Sequence, residues 1–309
     1  MTLICDCGST KAEWALLDGN DVAKRFVTNG FNPNFTDGET IKNIVGEAKD
    51  IVGDQTIKKI RFYGSGCGTE ANQNKVAMIL AMVFKINDIE VCPDTLGACH
   101  ALFGNKPGVA CILGTGSNAC VYDGKKITES VASLGFMIGD EGSGCHIGKR
   151  IVHDYFLGLM PDDLRAKFDE KYHLDREAFL KRVYQGEQPS RYLAEFTKFA
   201  AENIENQYVI KLIGECFEEF LLSFRLKRNE VKCNGEILGL RKQSDDNVNG
   251  GFLDFARNDS NFACDAFGFV GSIAFIFQDI LLQHLANHHI NCSKILKNPM
   301  DGLIEFYKN

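Results

Sequence analysis

The composition is that of an ordinary soluble globular chain and excludes several classes of function. The chain has 309 residues, of which 45% are hydrophobic and 24% charged, and a chain of this length usually divides into about two domains. Its net charge is −7, with no basic run that would favour nucleic-acid binding, and no apolar stretch approaches the ~18–20 residues that span a bilayer.

The N-terminus and the cysteines favour a cytoplasmic protein. The first residues, Met-Thr-Leu-Ile-Cys-Asp, lack the basic start and long apolar stretch of a secretory signal. The twelve cysteines include no C-x-x-C pair, so we expect reduced thiols rather than a disulfide framework or a zinc ribbon.

The first hundred residues alternate between strand and helix patterns after an initial group of three strands. Alternating apolar residues and turn signals predict strands at 3–5, 12–17, 22–27, 57–63 and 89–92. Helical spacing of apolar residues predicts helices at 41–52, around 76–84 and at 95–103. The order of elements is therefore βββ-α-β-α-β-α.

The second half opens as the first does, which indicates a duplicated domain. Its predicted strands are 109–113, 119–122 and 127–131, and a mostly helical region follows from 143 to 228. Residues 229–266 give no confident element, whereas 267–277 predict a strand end followed by a helix that continues to about His288. We expect one domain at 1–105 and a second at 106–289, with a tail of about 290–309 that returns to the first.

Two glycine turns join the first two strands of each half. The first is Asp-Cys-Gly-Ser-Thr-Lys at 6–11 and the second is Leu-Gly-Thr-Gly-Ser-Asn at 113–118. Glycine lets backbone amides approach an anion, and Asp6 is placed to hold Mg²⁺ through water. Each turn alone is equally well explained as a hairpin that needs glycine. Neither matches a Walker A loop or a dinucleotide-binding turn, but together they suggest a two-sided phosphate clamp.

Two aspartates have both a functional and a structural interpretation. Asp94 follows a short strand and precedes a helix, where an open α/β sheet binds ligands. It is either a carboxylate that orients a hydroxyl and takes its proton, or a helix N-cap. Asp140 has the same ambiguity, because both it and Ser143 precede a helix.

Three histidines near the C-terminus also allow two interpretations. His284, His288 and His289 lie at helical spacing, with no acid or cysteine nearby in the sequence to complete a metal site. A solvated helix end is therefore favoured over a metal site.

Four ordered motifs, at 6–11, 94–98, 113–118 and 139–144, resemble those of the BadF/BadG/BcrA/BcrD-type ATPases. The resemblance is to the N-acetylglucosamine kinase-like branch of the actin/sugar-kinase superfamily. It implies an α/β fold of two RNase-H-like (actin-like ATPase) domains, duplicated, which flank an active-site cleft. It also implies an ATP-dependent, Mg²⁺-assisted kinase that phosphorylates an amino sugar such as N-acetylglucosamine at O6. A homodimer without a nucleic-acid or membrane partner is expected.

The resemblance also implies roles for individual residues. Asp94 corresponds to the general base, and Asp6 to the residue that holds Mg²⁺ through water. The ATP phosphates would contact Gly8, Ser9, Thr10, Lys11, Gly114, Thr115, Gly116 and Ser117. The adenosine side would contact Gly271 and Ser272. The sugar would contact Asn32 (with Asn34 as the alternative), Asp94, Ser117 and Asp140.

Two departures from the family pattern and two rival functions remain open. Ser133-Leu134 stands where animal N-acetylglucosamine kinases carry Gly-Trp, and residues 229–266 intervene before the adenosine-side segment. One rival is an ATPase that activates a dehydratase or reductase partner through an iron–sulfur cluster, although Cys111, Cys120 and Cys145 lie in other motifs. The other is a non-catalytic sugar sensor, against which the intact Asp6 and Asp94 argue.

Overall fold

A computed structural model describes residues 1–226 and 266–308 and contains two compact units. The first comprises Met1–Ala110, Tyr122–Ile127 and Asn298–Asn309, and the second comprises Cys111–Val121 and Thr128–Lys297. Each unit is built on a five-stranded sheet with flanking helices, so the predicted duplicated α/β fold is confirmed. Most of the segment for which the sequence predicts no element, 229–266, lies outside the described residues.

The first sheet has the strand order β3-β2-β1-β4-β5. Its strands are β1 (Thr2–Cys7), β2 (Lys11–Asp18), β3 (Asp21–Asn29), β4 (Lys59–Gly64) and β5 (Ile89–Pro93). Strand β1 pairs antiparallel with β2 and parallel with β4, which pairs parallel with β5. The carboxyl ends of β1, β4 and β5 therefore meet at one edge of the sheet, where ligands bind in open α/β sheets.

Four helices cover the two faces of this sheet. They are α1 (Gly38–Val52), α2 (Glu70–Phe84), α3 (Asp94–Phe103) and the C-terminal α12 (Met300–Tyr307). Alternate residues of the strands, among them Trp14 and Phe62, form one core with α1 and α2. The opposite face packs against α3 and α12.

The second sheet repeats the opening of the first and has the order β10-β9-β6-β7-β8. Its strands are β6 (Gly108–Leu113), β7 (Ser117–Tyr122), β8 (Ile127–Ser130), β9 (Phe267–Val270) and β10 (Cys292–Leu296). The helices of this unit are α4 (Gly144–Leu157), α5 (Asp162–Tyr172), α6 (Arg176–Gln185), α7 (Pro189–Ala194), α8 (Thr197–Glu202), α9 (Gln207–Leu226), α10 (Ser272–Ile276) and α11 (Gln278–Asn287). No helix in the described ranges is long and apolar enough to cross a membrane.

The C-terminal tail differs from its predicted course in one respect. Its first part forms β10, which pairs parallel with β9 in the second sheet instead of returning to the first unit. Only α12 packs on α3, where Gly302 lies directly against Ala101. The strand pattern at 292–296 does not reveal its partner, because pairing depends on residues far away in the chain. The domain boundaries 1–105 and 106–289 stay a prediction.

Candidate functional site

The first glycine turn is a tight hairpin closed by a backbone hydrogen bond. The N–H of Gly8 donates to the carbonyl oxygen of Lys11 at 2.9 Å, so Ser9 and Thr10 form the loop. Among the residues that the structure describes, no acceptor pairs with the backbone N–H of Ser9 or Thr10. Two adjacent N–H groups without an acceptor are the kind of donor pair that suits an anion.

Gly30 packs directly against the backbone of this hairpin. Its N–H donates to the carbonyl oxygen of Thr10 at 3.0 Å. A Cβ atom at Gly30 would lie 2.0 Å from the carbonyl oxygen of Gly8 and 2.4 Å from the backbone nitrogen of Lys11. Only glycine permits this approach of two backbones. Sequence reasoning missed this role, because the local sequence does not show which part of the backbone lies against Gly30.

Asp6 lies close to two other carboxylates, those of Asp94 and Glu13. Strand register places it opposite Glu13 on β2, and Lys11 lies 3.6 Å from Glu13. Burial raises the pKa of Asp6 to about 7, and the negative charge of Asp94 adds to the effect. The charges of Asp6 and Asp94 repel each other when both groups are ionised. A cation bound between them would be favoured, because it would offset this repulsion.

Asp94 is the first residue of α3 and does not occupy the N-cap position. That position belongs to Pro93, which makes no side-chain cap. The carboxylate of Asp94 accepts the N–H of Thr95 at 2.9 Å. Burial raises its pKa, and the Thr95 hydrogen bond partly opposes this rise. The N-cap interpretation of Asp94 is therefore not supported, and the carboxylate lies at the carboxyl end of β5 near Asp6.

Asn32 lies in a loop that is held by side chains of α2. Its Oδ1 accepts the N–H of Asn34 at 3.0 Å, and the side chain packs against Gly66, where a Cβ would be only 2.1 Å from Oδ1. The side-chain amide of Asn72 donates to Asn34 Oδ1 at 2.7 Å and to the Gly66 carbonyl at 2.8 Å. Asn34 is exposed, and Lys75 adds bonds to the carbonyl oxygens of Pro33 and Thr36. These supporting α2 residues carried no sequence signal.

The second glycine turn is anchored by the start of α4. The N–H of Gly114 donates to the carbonyl oxygen of Gly116 at 3.0 Å. The carbonyl oxygens of Gly114 and Thr115 accept the N–H groups of Gly144 at 2.8 Å and Cys145 at 3.1 Å. The turn therefore keeps its shape through backbone bonds to a helix, as a preformed anion site requires.

Asp140 contacts this second turn and leaves the helix cap to Ser143. The Ser143 hydroxyl accepts the N–H of His146 at 3.1 Å, which makes Ser143 the N-cap of α4. Asp140 has a left-handed φ of 61°, and its Oδ1 accepts the N–H of Ser117 at 3.3 Å. Burial raises the pKa of Asp140. Non-glycine residues rarely adopt this left-handed conformation, and those that do are often found at functional sites.

The predicted adenosine-side segment lies next to the second turn. Gly271 has a φ of 129°, and a Cβ there would lie 2.1 Å from the carbonyl oxygen of Leu113. Such a conformation is essentially confined to glycine. Ser272 is exposed and begins α10. Gly271 therefore lies against the end of β6, next to Gly114 of the second turn.

The C-terminal histidines face an acid that is distant in the sequence. Glu218 on α9 lies 2.8 Å from Nε2 of His288 and 3.6 Å from Nδ1 of His284. Glu218 is distant from these histidines in the sequence, so local sequence reasoning could not identify it as their partner. Within 1–226 and 266–308, however, no group of three or more His, Cys, Asp or Glu side chains is arranged to hold a metal ion.

The two units define a class of protein. Each has a mixed five-stranded sheet with a glycine turn between its first two consecutive strands, which is the architecture of the two-domain actin-like ATPases. A model of the BadF/BadG/BcrA/BcrD ATPase family matches residues 5–207, and the chain belongs to this family.

Solved structures share the fold over nearly the whole chain. A Porphyromonas gingivalis protein, provisionally described as an N-acetylglucosamine kinase, is 32% identical with a TM-score of 0.85, covering 100% of this chain and 99% of its own. A Chromobacterium violaceum protein with the same provisional description is 13% identical, with a TM-score of 0.67 and coverage of 99% and 98%. A ROK family glucokinase from Streptomyces griseus, solved with glucose and AMPPNP, is 13% identical, with a TM-score of 0.54 and coverage of 99% and 97%. The last two show the fold alone. No curated protein sequence matches this one.

Proposed function

We propose that this protein is an ATP-dependent sugar kinase, a phosphotransferase with an alcohol acceptor. The observation that carries the proposal is the pair of neighbouring carboxylates, Asp6 and Asp94, at the sheet edge that also holds the free amides of the first turn. Phosphoryl transfer needs an anion cradle, a cation site and a carboxylate for the acceptor hydroxyl. The acceptor proposed is an amino sugar such as N-acetylglucosamine, phosphorylated at O6, in keeping with the provisional description of the P. gingivalis relative.

Asp94 is proposed as the general base. Its carboxylate would accept the proton of the sugar hydroxyl while the hydroxyl oxygen forms a bond to the γ-phosphorus. The bond from that phosphorus to the β,γ-bridging oxygen breaks, and ADP leaves. A positioned base of this kind contributes roughly 10²–10⁴-fold to the rate. Burial, which raises the pKa of Asp94, makes it a better proton acceptor once it is ionised.

Asp6 is the residue proposed to hold Mg²⁺, through water. The site fits the ion, because a hard cation would relieve the repulsion between Asp6 and Asp94 that helps to raise the pKa of Asp6. Mg²⁺ keeps several waters and needs few protein carboxylates when phosphates supply other ligands. When bound, the ion would neutralise charge on the phosphates of ATP.

The other predicted contacts are proposals of the same kind. The Gly8–Lys11 and Gly114–Ser117 turns would bind the phosphates, and Gly271 and Ser272 would lie on the adenosine side. Asn32, Ser117 and Asp140 would contact the sugar. The backbone bonds of both turns and the held position of Asn32 support this assignment, because a binding group that is already fixed loses little entropy on binding.

A screen of sugar-dependent ADP release tests the proposal. We expect release with MgATP and N-acetylglucosamine, compared with glucosamine, N-acetylmannosamine, N-acetylmuramic acid and glucose as acceptors. NMR of the phosphorylated product would identify the oxygen. ADP release that does not respond to any of these sugars would contradict the kinase assignment.

The same preparation separates the rival functions. A dehydratase or reductase activator would contain iron and be brown, and a sensor would bind sugar without releasing ADP. Analytical ultracentrifugation tests the predicted homodimer, and fractionation of the source cells tests the predicted cytoplasmic location.

A further inference from the structure

A chain of partly buried hydrogen bonds links α3 to β4 and to the C-terminal helix within the first unit. The hydroxyl group of Tyr63, on β4, hydrogen-bonds with Nδ1 of His100 at 2.7 Å and with the Tyr307 hydroxyl at 2.6 Å. The ring of Phe306 stacks on His100 with centroids 4.1 Å apart. Burial lowers the pKa of His100 to about 4, so the imidazole is neutral near pH 7 and the network carries no net charge.

Backbone contacts fix how closely α3 approaches the same partners. A Cβ at Gly97 would lie 2.9 Å from the ring of Tyr63, so the helix backbone rests directly on that ring. On its other side, Gly302 of α12 packs so closely that a Cβ would lie 2.3 Å from the carbonyl oxygen of Ala101. Helix α3 is thus held between β4 and α12, with Tyr63 as the common contact.

The position of Asp94 depends on how α3 is held, because Asp94 is the first residue of this helix. No side chain caps the helix, and the Asp94 carboxylate accepts an N–H from Thr95 of the same helix. The direction of the carboxylate is therefore tied to the position of α3 on the sheet. We propose that Tyr63, His100 and Tyr307 are positioning residues, whose hydrogen bonds hold α3 so that Asp94 is aimed at the acceptor hydroxyl. This inference rests on the proposed function.

Removal of single hydroxyl groups tests the inference with little change in shape. Both Tyr63→Phe and Tyr307→Phe keep the ring; the first removes the hydrogen bonds to His100 and Tyr307, and the second removes only the one between the two tyrosines. We expect kcat with N-acetylglucosamine to fall about tenfold, less than the roughly 10²-fold that a 1 Å misplacement can cost. The KM values for ATP and N-acetylglucosamine should change less than about twofold, because the binding groups are untouched.

Tyr208→Phe provides the matched control in the second unit. Its hydroxyl is also partly buried and donates to Asp154 Oδ2 at 2.7 Å, but it lies outside the proposed site. We expect this variant to lose thermal stability while it keeps the wild-type kcat at a temperature where all the variants are folded.

The decisive measurement repeats the substitutions in an Asp94→Asn background. If Tyr63 acts through Asp94, Tyr63→Phe should not lower the residual kcat further, because the group that it positions is already inactive. An equal fold-loss in both backgrounds, or a wild-type kcat for both Tyr63→Phe and Tyr307→Phe, would overturn the positioning role alone. A wild-type kcat for Asp94→Asn would instead overturn the proposed base, and the positioning role with it.

Discussion

At the scale of single residues, the carboxylates proposed to take part in catalysis and binding are kept partly out of water by the unit to which each belongs. Asp6, Asp94 and Asp140 all have raised pKa values, and burial is the largest cause in each case. Perturbed carboxylates cluster at functional sites because catalysis needs groups that differ from their ordinary solution behaviour. Asp6 is the penultimate residue of β1, Asp94 directly follows β5, and Asp140 lies in the segment before α4.

Asp94→Asn separates chemistry from structure. Asparagine has nearly the same shape and can still accept the Thr95 N–H through its amide oxygen, but it cannot take a proton from a hydroxyl. We expect kcat to fall by roughly 10²–10⁴-fold, with near-native melting and near-native sugar affinity. Steady-state kinetics, calorimetric melting and isothermal titration with N-acetylglucosamine give the three readouts. A variant with the wild-type kcat would remove Asp94 from the mechanism.

Asp6→Asn should change how stability depends on pH. The pKa of Asp6 is 3.8 in its ordinary state and about 7 in the folded protein. Its contribution to stability is therefore present below about pH 4 and is lost as pH rises through about 7, because the unfolded chain ionises first. In EDTA we expect Asp6→Asn to melt above the wild type at about pH 8 and to converge with it near pH 4.

The control for this experiment is Asp18→Asn, at the exposed end of β2. Its melting curve should follow that of the wild type across the same pH range. If Asp6→Asn also follows the wild type, Asp6 is not held in an environment that penalises its charge.

Tyr172 carries a buried hydroxyl without a hydrogen-bond partner in the described part of the chain. Its ring packs 4.7 Å from that of Phe168 in the helical part of the second unit. Tyr172→Phe should keep this packing and stabilise the protein by about 1 kcal/mol, because an unsatisfied buried hydroxyl costs about 1–3 kcal/mol. The measurement is the free energy of unfolding in urea.

Tyr155→Phe is the opposite case in the same aromatic cluster. The Tyr155 hydroxyl donates to Asp169 Oδ1 at 2.5 Å, so its removal should destabilise the protein by about 1 kcal/mol. Equal changes in the two variants would mean that Tyr172 has found a partner in solution.

At the scale of elements, both glycine turns are held by backbone contacts from elsewhere in their units. Gly30 supports the first turn, and α4 and Gly271 support the second. The position of the amides in each turn therefore depends on these backbone supports. If the turns bind phosphate as proposed, they would do so with little loss of entropy, because these contacts already hold their shape.

Gly30→Ala should displace the first turn. The new Cβ would overlap the backbone of Gly8 and Lys11, neither of which can move aside as a side-chain end can. We expect a loss of about 1–3 kcal/mol in stability and weaker binding of MgAMPPNP by isothermal titration. Gly46→Ala, on α1 with no atom within 4 Å of the new Cβ, is the matched control. It should stabilise the helix by about 0.5–1 kcal/mol and leave nucleotide binding unchanged.

At the scale of the whole molecule, nucleotide binding should increase the free energy of unfolding. A ligand that binds only the folded state stabilises it by about 2.7 kcal/mol at a concentration of 100 times Kd. We expect MgAMPPNP to raise the melting temperature, and EDTA to remove most of this rise. The same rise in Mg²⁺-free buffer would contradict the proposed role of Asp6.

The sequence by itself determined the features that depend on neighbouring residues. Alternation and turn residues marked the strands of both sheets, their repetition marked the duplication, and the strand before Asp94 placed this residue at a sheet edge. The family could also be recognised from four short motifs. Each motif consists of neighbouring residues that form one local backbone conformation, so it can be read from the sequence.

Only the tertiary structure decided the features that join distant residues. It put Glu218 between His284 and His288, Gly30 under the first turn, Gly271 against Leu113, and Tyr307 on Tyr63. It also gave the cap of α4 to Ser143 and left Asp140 in contact with the second turn. Local patterns fix the shape of a segment, whereas the partner of a buried group is chosen by packing of the whole chain, where each polar group must find a hydrogen bond.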